Sequence, residues 1–269
     1  MGVSMKYLLK NSFSYWMRTN LKDAYSGLIT QNIDFAFISE KFFFFIEEKN
    51  SPYARVGPAQ KIIFKLFDDF LLLKKPKFLG TYIIYATNEM PESELKKMIE
   101  DIKSSRKPRP NYEIERNKLE KLWDCKGKPP LKKTERERSF YRDSVIEKIL
   151  DDVKKDFLFV GPIHWILLNY CSGYFIFIEE ITNNAEIENG RKNFIDTINS
   201  IFANKNNNSN AKNPKSQAVY KYLGFYQLKF SQTHPDNSHE IYLNNRRVSR
   251  DELITLLNLD KDDIIHYKL

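Results

Sequence analysis

The segment NIDFAFISEKFFFFIEEKNSPYARVGPAQKIIFKLF, residues Asn32 to Phe67, sets the architecture expected for the whole chain. It contains two apolar runs rich in Phe and Ile, from Ile33 to Ile38 and from Phe42 to Ile46, with a short polar turn between them. Runs of this length and composition are typical of buried strands rather than of helices. The sequence therefore predicts a β-hairpin at the centre of the fold.

Charged residues stand at the open end of this hairpin, where the start of the first strand and the end of the second strand should lie side by side. Asp34 is near the start of the first strand, and Glu47-Glu48-Lys49 ends the second. Side chains alternate across a strand, so Glu47 and Lys49 share one face, and a tightly paired hairpin brings Asp34 opposite Glu47. Two adjacent carboxylates repel each other unless a cation offsets the repulsion, and carboxylate oxygens with waters are ligands that magnesium accepts.

The pattern of Asp34 followed by Glu47-x-Lys49 resembles the PD-(D/E)xK nuclease superfamily, whose core carries this signature on two adjacent strands followed by a helix. Gln60-x-x-x-Phe64 is similar to the Gln-x-x-x-Tyr element that some subfamilies place in that helix. Two positions depart from the pattern, since Ile33 replaces the Pro of the motif and Phe64 replaces the Tyr. The resemblance covers roughly the first hundred residues.

This resemblance implies a DNA endonuclease that hydrolyses phosphodiester bonds with Mg²⁺, for which Mn²⁺ would substitute. It implies that Asp34 and Glu47 hold the metal, that Lys49 assists the attacking water and that Gln60 supports the site. Three other interpretations stay open. The charged residues at the strand end are an ordinary solvated edge, the chain binds nucleic acid without cutting it, or the same core cuts RNA.

The elements around the hairpin fit an α/β layer. Apolar spacing predicts a helix from Tyr7 to Leu28, a second from Ala59 to Leu73, a strand from Gly80 to Ala86 and a third helix from Pro91 to Ile102. The predicted fold class is therefore α/β, a restriction-endonuclease-like core with a mixed β-sheet flanked by helices, plus a C-terminal α+β region.

The sequence predicts three regions: a nuclease-like catalytic core over residues 1–104, a basic linker or DNA-contacting arm over 105–138, and a C-terminal α+β region over 139–269 for substrate binding or dimerisation. Residues 103–138 contain thirteen Lys or Arg and only six Asp or Glu, with four Pro that limit regular structure. The residues expected to contact nucleic acid are Arg55, Lys61, Arg106, Arg109, Lys132, Lys133, Arg246 and Arg247.

Composition restricts the partners. The formal net charge is +8, which suits a polyanion, so DNA is the expected partner, with a second copy of the chain wherever both strands are cut. No apolar run reaches the length of a membrane span, and the expected location is the cytoplasm. The two cysteines, Cys125 and Cys171, lack the spacing of a zinc site or a disulfide framework.

A second run, Tyr174 to Ile181, resembles Phe42 to Lys49, and a predicted helix from Arg191 to Phe202 follows it as a helix follows Lys49. The sequence alone favours chance similarity between two strands of like composition. If the runs were instead a repeat, Ile181 would stand where the first copy has Lys49, and the second copy would be catalytically silent.

Overall fold

The computed structural model describes residues 12–24, 26–49, 55–71, 76–85, 91–104, 155, 157–183, 185–203 and 219–268. Apolar spacing also predicts a helix from Phe140 to Val153. That segment and the basic residues Arg106, Arg109, Lys132 and Lys133 lie outside these ranges. None of the helices in these ranges combines the length and the apolar character that a membrane span requires.

The strands form one mixed sheet of eight in the order β3-β2-β1-β4-β5-β6-β7-β8. Their bounds are β1 Leu28–Ile38, β2 Phe42–Lys49, β3 Lys77–Tyr85, β4 Phe159–Asn169, β5 Tyr174–Ile181, β6 Lys221–Phe230, β7 Ile241–Leu243 and β8 Arg246–Arg247. The helices are α1 Phe13–Asn20, α2 Pro58–Leu71, α3 Glu92–Lys103, α4 Asn189–Ala203 and α5 Arg250–Leu257, with short 3-10 helices at Pro235–Asn237 and Asp263–Tyr267.

The predicted hairpin is present, with Phe35 opposite Ile46 and Ile38 opposite Phe43. Helix α2 then crosses to β3, which pairs parallel to β2. The prediction of an α/β protein with a mixed sheet and flanking helices is confirmed.

One prediction about element length was wrong. The first helix ends at Asn20 rather than at Leu28. The chain turns at Gly27, which has a φ of +101°, and Leu28 already belongs to β1. The apolar sequence from Ile163 to Tyr170 is compatible with either a helix or a buried strand. Residues 163–169 belong to β4, a strand of eleven residues.

Apolar side chains cover both faces of the sheet. On one face, α2 and α4 pack over the sheet through residues such as Phe67 and Phe202. On the other face, α3 covers the β1–β3 end, and α1 and α5 cover the β4–β7 end. The sheet is continuous through the 1–104 and 139–269 regions because β1 pairs antiparallel with β4. The division into three regions stays a prediction.

The two halves of the sheet have the same topology. In each half an antiparallel pair of strands is followed by a helix and then by a strand parallel to the second, giving β1-β2-α2-β3 and β4-β5-α4-β6. Both crossover helices lie on the same face of the sheet.

Candidate active site at the end of strand β2

The end of β2 brings three of the predicted site residues into contact. Lys49 donates through Nζ to Glu47 Oε1 at 2.6 Å and to Gln60 Oε1 at 3.3 Å. Gln60 in turn donates through Nε2 to the same Glu47 oxygen at 2.5 Å and accepts from the backbone N–H of Gly57 at 3.4 Å. The cluster exists because Glu47 and Lys49 share the face of β2 that α2 covers, and Gln60 lies in the first turn of α2.

Asp34 completes the acidic side of this cluster. It lies one residue before Phe35, whose partner is Ile46, so it approaches the end of β2. Its Oδ2 accepts the backbone N–H of Glu48 at 2.8 Å, and its Oδ1 accepts the side-chain amide of Asn32 at 3.1 Å. These bonds fix the carboxylate beside Glu47 without supplying a positive charge.

The pKa of the Asp34 carboxyl reflects its burial and the neighbouring charge of Glu47. Burial, and after it the negative charge of Glu47, raise the pKa of the Asp34 carboxyl to about 7, against the opposing effects of the Glu48 N–H and the Lys49 ammonium. The Asp34 and Glu47 carboxylates therefore repel each other electrostatically.

One atom of the cluster is left without a partner. Glu47 is only 3% exposed, and its Oε2 has no hydrogen-bond donor among the described residues. A buried carboxylate oxygen without a donor is costly, because it has lost water without replacing it. Asp34 and Gln60 are partly exposed, so the buried Glu47–Lys49 pair lies close to solvent.

The described residues contain no group of three or more His, Cys, Asp and Glu side chains suited to holding a metal ion. Asp34 and Glu47 would supply only two protein ligands. Magnesium in phosphate-processing sites commonly has one or two carboxylates and takes its other ligands from water and substrate phosphate. The donor set and the unpartnered oxygen of Glu47 therefore fit such an ion.

The predicted basic residues are not all at this site. Arg55 is exposed just before α2, and Lys61 follows Gln60 in the first turn of that helix. Arg246 and Arg247 lie on β8, at the far edge of the sheet from β3, where Arg246 donates to the backbone carbonyl of His266. The structure thus separates these two arginines from the Asp34–Glu47 cluster.

A second polar cluster occupies the corresponding end of β5, and sequence reasoning missed it. Arg191 of α4 forms a two-point ion pair with Glu179, through Nε to Oε1 at 2.7 Å and through Nη2 to Oε2 at 2.5 Å. His164 Nδ1 lies 3.4 Å from Glu179 Oε2, and burial lowers the pKa of His164. Besides the resemblance of β5 to β2, a further signal was the sequence Lys221-Tyr-Leu-Gly224, which repeats Lys77-Phe-Leu-Gly80 after the helix of each half.

The described residues define an α/β protein with one mixed sheet and a buried acid–lysine–glutamine cluster. Two proteins of Archaeoglobus fulgidus, each named "Uncharacterized protein", are similar to it. One is 54% identical over 143 residues, which is 51% of this chain and 93% of the relative, and the other is 41% identical over 140 residues, which is 46% and 96%. The chain belongs to the family of these two proteins. No protein-family model and no solved structure matches it.

Proposed function

We propose that the chain is a magnesium-dependent DNA endonuclease with a restriction-endonuclease-like core of the PD-(D/E)xK kind. The observation that carries the proposal is Glu47 Oε2, a buried carboxylate oxygen with no donor among the described residues, beside a second acid. Two carboxylates face one ammonium there, so a cation would relieve both the excess negative charge and the unpartnered oxygen. A solvated strand edge would not bury Glu47 and Lys49 to 3% and 7% exposure.

Asp34 and Glu47 are the residues that would hold the ion. When bound, a divalent ion supplies a Lewis acid that polarises a phosphate and lowers the pKa of a bound water. Lys49 holds a positive charge beside that position and would stabilise the charge that develops on the phosphate in the transition state. Gln60 would act as a positioning residue, because it donates to Glu47 and accepts from Lys49.

The reaction proposed is hydrolysis of one phosphodiester bond. A water oxygen forms a bond to phosphorus, one bond from phosphorus to an ester oxygen breaks, and the leaving oxygen takes up the proton that the water gives up. Arg55 and Lys61 would bind flanking phosphates, since both are at or near the N-terminus of α2, where anions are favoured. Binding through such contacts weakens steeply with salt.

The test is cleavage of supercoiled plasmid by the full chain with Mg²⁺ and with EDTA. We expect Asp34→Asn and Lys49→Ala each to lower the rate by about 10²-fold or more, the usual effect of removing one group that stabilises transition-state charge. The matched controls are Asp69→Asn and Lys65→Ala, because these residues form an exposed acid–lysine pair at 2.6 Å on α2. Both controls should cut at the wild-type rate.

Three outcomes would contradict the proposal. Magnesium-dependent cleavage that survives both Asp34→Asn and Lys49→Ala would show that the chemistry lies elsewhere. Salt-sensitive DNA binding without cleavage, and with no metal requirement, would indicate a binding protein. Cutting of labelled RNA but not of labelled DNA in a parallel digestion would change the substrate class.

A further inference from the structure

The two halves of the sheet match in sequence as well as in topology. Strand β3 begins Lys-Phe-Leu-Gly-Thr-Tyr and β6 begins Lys-Tyr-Leu-Gly-Phe-Tyr. The first lysine of each strand is opposite the first residue of β2 or β5, so Lys77 pairs with Phe42 and Lys221 with Tyr174. Both parallel pairs then show a register shift near their second residue.

The matched strands also share two unusual local features. Gly80 and Gly224 have φ values of +120° and +138°, a conformation that side chains rarely adopt. Two residues later, the hydroxyl of Tyr82 donates to the Leu79 carbonyl at 2.9 Å and that of Tyr226 donates to the Leu223 carbonyl at 3.0 Å. Chance similarity of two apolar strands does not account for both features at the same positions.

These registers assign an equivalent to every residue of the candidate site. Glu47 lies opposite Ile83 and Glu179 opposite Gln227, which are the seventh residues of β3 and β6. In the hairpins, Phe35 pairs with Ile46 and Trp165 pairs with Ile178. The third residues of α2 and α4 are Gln60 and Arg191. The equivalent pairs are therefore Asp34 with His164, Glu47 with Glu179, Lys49 with Ile181 and Gln60 with Arg191.

Only the glutamate is the same in both clusters. In the first half Glu47 Oε2 is unpartnered among the described residues, whereas in the second half Arg191 donates to both oxygens of Glu179. The guanidinium neutralises Glu179, and its planar fork occupies the carboxylate that a cation would need. His164 and Ile181 replace the second acid and the lysine, so neither side chain restores the lost charge pattern.

We infer that the chain is a fused duplication whose second ion site is closed by Arg191, so that each chain binds one catalytic divalent ion and cuts one strand of a duplex. The number of ions rests on the proposed function, whereas the duplication rests on the registers. The lengths of the relatives agree with it, since in both A. fulgidus proteins nearly the whole relative corresponds to about half of this chain.

The test is the number of Mn²⁺ ions bound by the full chain, measured by titration calorimetry without DNA. We expect one ion in the wild type, none in Asp34→Asn and still one in Glu179→Gln. The triple variant His164→Asp/Ile181→Lys/Arg191→Gln rebuilds the first site in the second half, and we expect it to bind two ions. Circular dichroism and a melting curve must show that it is folded.

A reverse variant guards against failure of the triple variant to fold. Gln60→Arg introduces into the first site an arginine at the position equivalent to Arg191. We expect this variant to fold normally and to bind no Mn²⁺, whereas Gln60→Asn should still bind one ion. On plasmid, the wild type should accumulate open circles before linear DNA.

Each other result has a definite meaning. Two ions in the wild type, with one lost in Glu179→Gln, would overturn this inference and leave the proposed function standing. No ion in the wild type, with no magnesium-dependent plasmid cleavage, would overturn the proposed function, whereas no ion with magnesium-dependent cleavage would overturn the ion number alone. A folded triple variant that binds one ion, or a Gln60→Arg variant that keeps its ion, would overturn the assignment of Arg191 as the closing residue.

Discussion

Glu47 in the first half of the sheet and Glu179 in the second stand at equivalent places on equivalent strands, yet their carboxylates have different partners. Glu47 shares one oxygen between Lys49 and Gln60 and leaves the other without a donor among the described residues. Glu179 has both oxygens held by a single guanidinium. The Glu179 cluster is therefore fully paired, whereas the Glu47 cluster has two carboxylates and only one ammonium.

This contrast shows that one fold can carry a fully paired and a partly paired version of the same cluster. A buried carboxylate must be paired with a positive charge or with donors, because desolvation of an isolated charge costs several kcal/mol. Arg191 meets that requirement from within the chain. The Asp34–Glu47 cluster meets it only in part, and the proposed ion would supply the rest.

The largest effect on stability is expected from breaking the ion pair in the second half. Arg191→Ala leaves Glu179, which is 4% exposed, without its guanidinium, and should destabilise the protein by about 3 kcal/mol. Gln60→Ala in the first half removes a neutral amide and should cost only about 1 kcal/mol. Urea unfolding monitored by circular dichroism measures both. Equal losses would show that the two clusters do not differ as described.

The double variant Arg191→Ala/Glu179→Gln provides the control for this prediction. This variant removes the Glu179 charge together with the Arg191 guanidinium, so most of the stability lost in Arg191→Ala should be recovered. A double variant as unstable as Arg191→Ala would assign the loss to packing of the Arg191 side chain, which also stacks over Phe194 with its guanidinium carbon 4.7 Å from the ring centroid.

The next effect depends on pH and concerns Glu180, beside Glu179. Burial raises the pKa of the Glu180 carboxyl to about 7, although Trp165 donates to its Oε2 at 2.8 Å. The folded state therefore favours the protonated form, and its stability falls as pH rises from the ordinary value of about 4.5 through 7. Glu180→Gln should increase the free energy of unfolding by on the order of 2 kcal/mol at pH 8 and leave it unchanged at pH 4.

Melting curves of wild type and Glu180→Gln across this pH range test the prediction. The exposed residue Glu186 provides the control, since Glu186→Gln should leave the curves unchanged at every pH. A Glu180→Gln gain that is the same at pH 4 and pH 8 would contradict the assignment to ionisation.

The sequence predicted the hairpin and helix of the first half and, in the second half, strand β5 and helix α4, but not that the two halves are equivalent. The β1–β2 hairpin and helix α2 followed from apolar runs and apolar spacing, and strand alternation placed Glu47 and Lys49 on one face. These features are local, so periodicity reports them. The place of Gln60 beside Glu47 and Lys49 was implied by the resemblance. The similarity of the two runs already aligned Glu179 with Glu47, but its support is not local, because it comes from a register across β5 and β6, whose first residues are 47 positions apart.

The sequence did not predict that Arg191 pairs with Glu179 and closes the second site, for the same reason. In the sequence it is one cation near the start of a helix, and only the fold shows that its partner is Glu179, twelve residues earlier on β5. The repeated Lys-x-Leu-Gly motif adds a second signal to the resemblance between the runs that became β2 and β5. Its meaning depends on the glycine φ values and tyrosine hydrogen bonds, which are properties of the folded chain.

The third effect is expected at the two glycines. A Cβ at Gly224 would lie 3.2 Å from Tyr226 Cε2, and both Gly80 and Gly224 have positive φ. Gly80→Ala and Gly224→Ala should each destabilise by about 2 kcal/mol because alanine is strained in that conformation. Gly190→Ala in α4 is the control, since its Cβ would meet nothing within 4 Å and alanine favours helix. A neutral Gly80→Ala beside a costly Gly224→Ala would weaken the equivalence of β3 and β6.

The smallest effect is expected at the tyrosine hydroxyls, which test the equivalence of β3 and β6. Tyr82→Phe and Tyr226→Phe each remove one buried hydrogen bond to a carbonyl two residues beyond the strand start, so each should cost about 1 kcal/mol. Tyr85→Phe, on the exposed end of β3, should cost nothing measurable. Urea midpoints for the three variants decide the matter. If the two halves derive from one unit, the two buried tyrosines should give matching losses of stability, because each fixes the same irregular stretch of backbone in its own half. A loss in only one of the two variants would mean that the shared motif no longer has the same structural role in both halves.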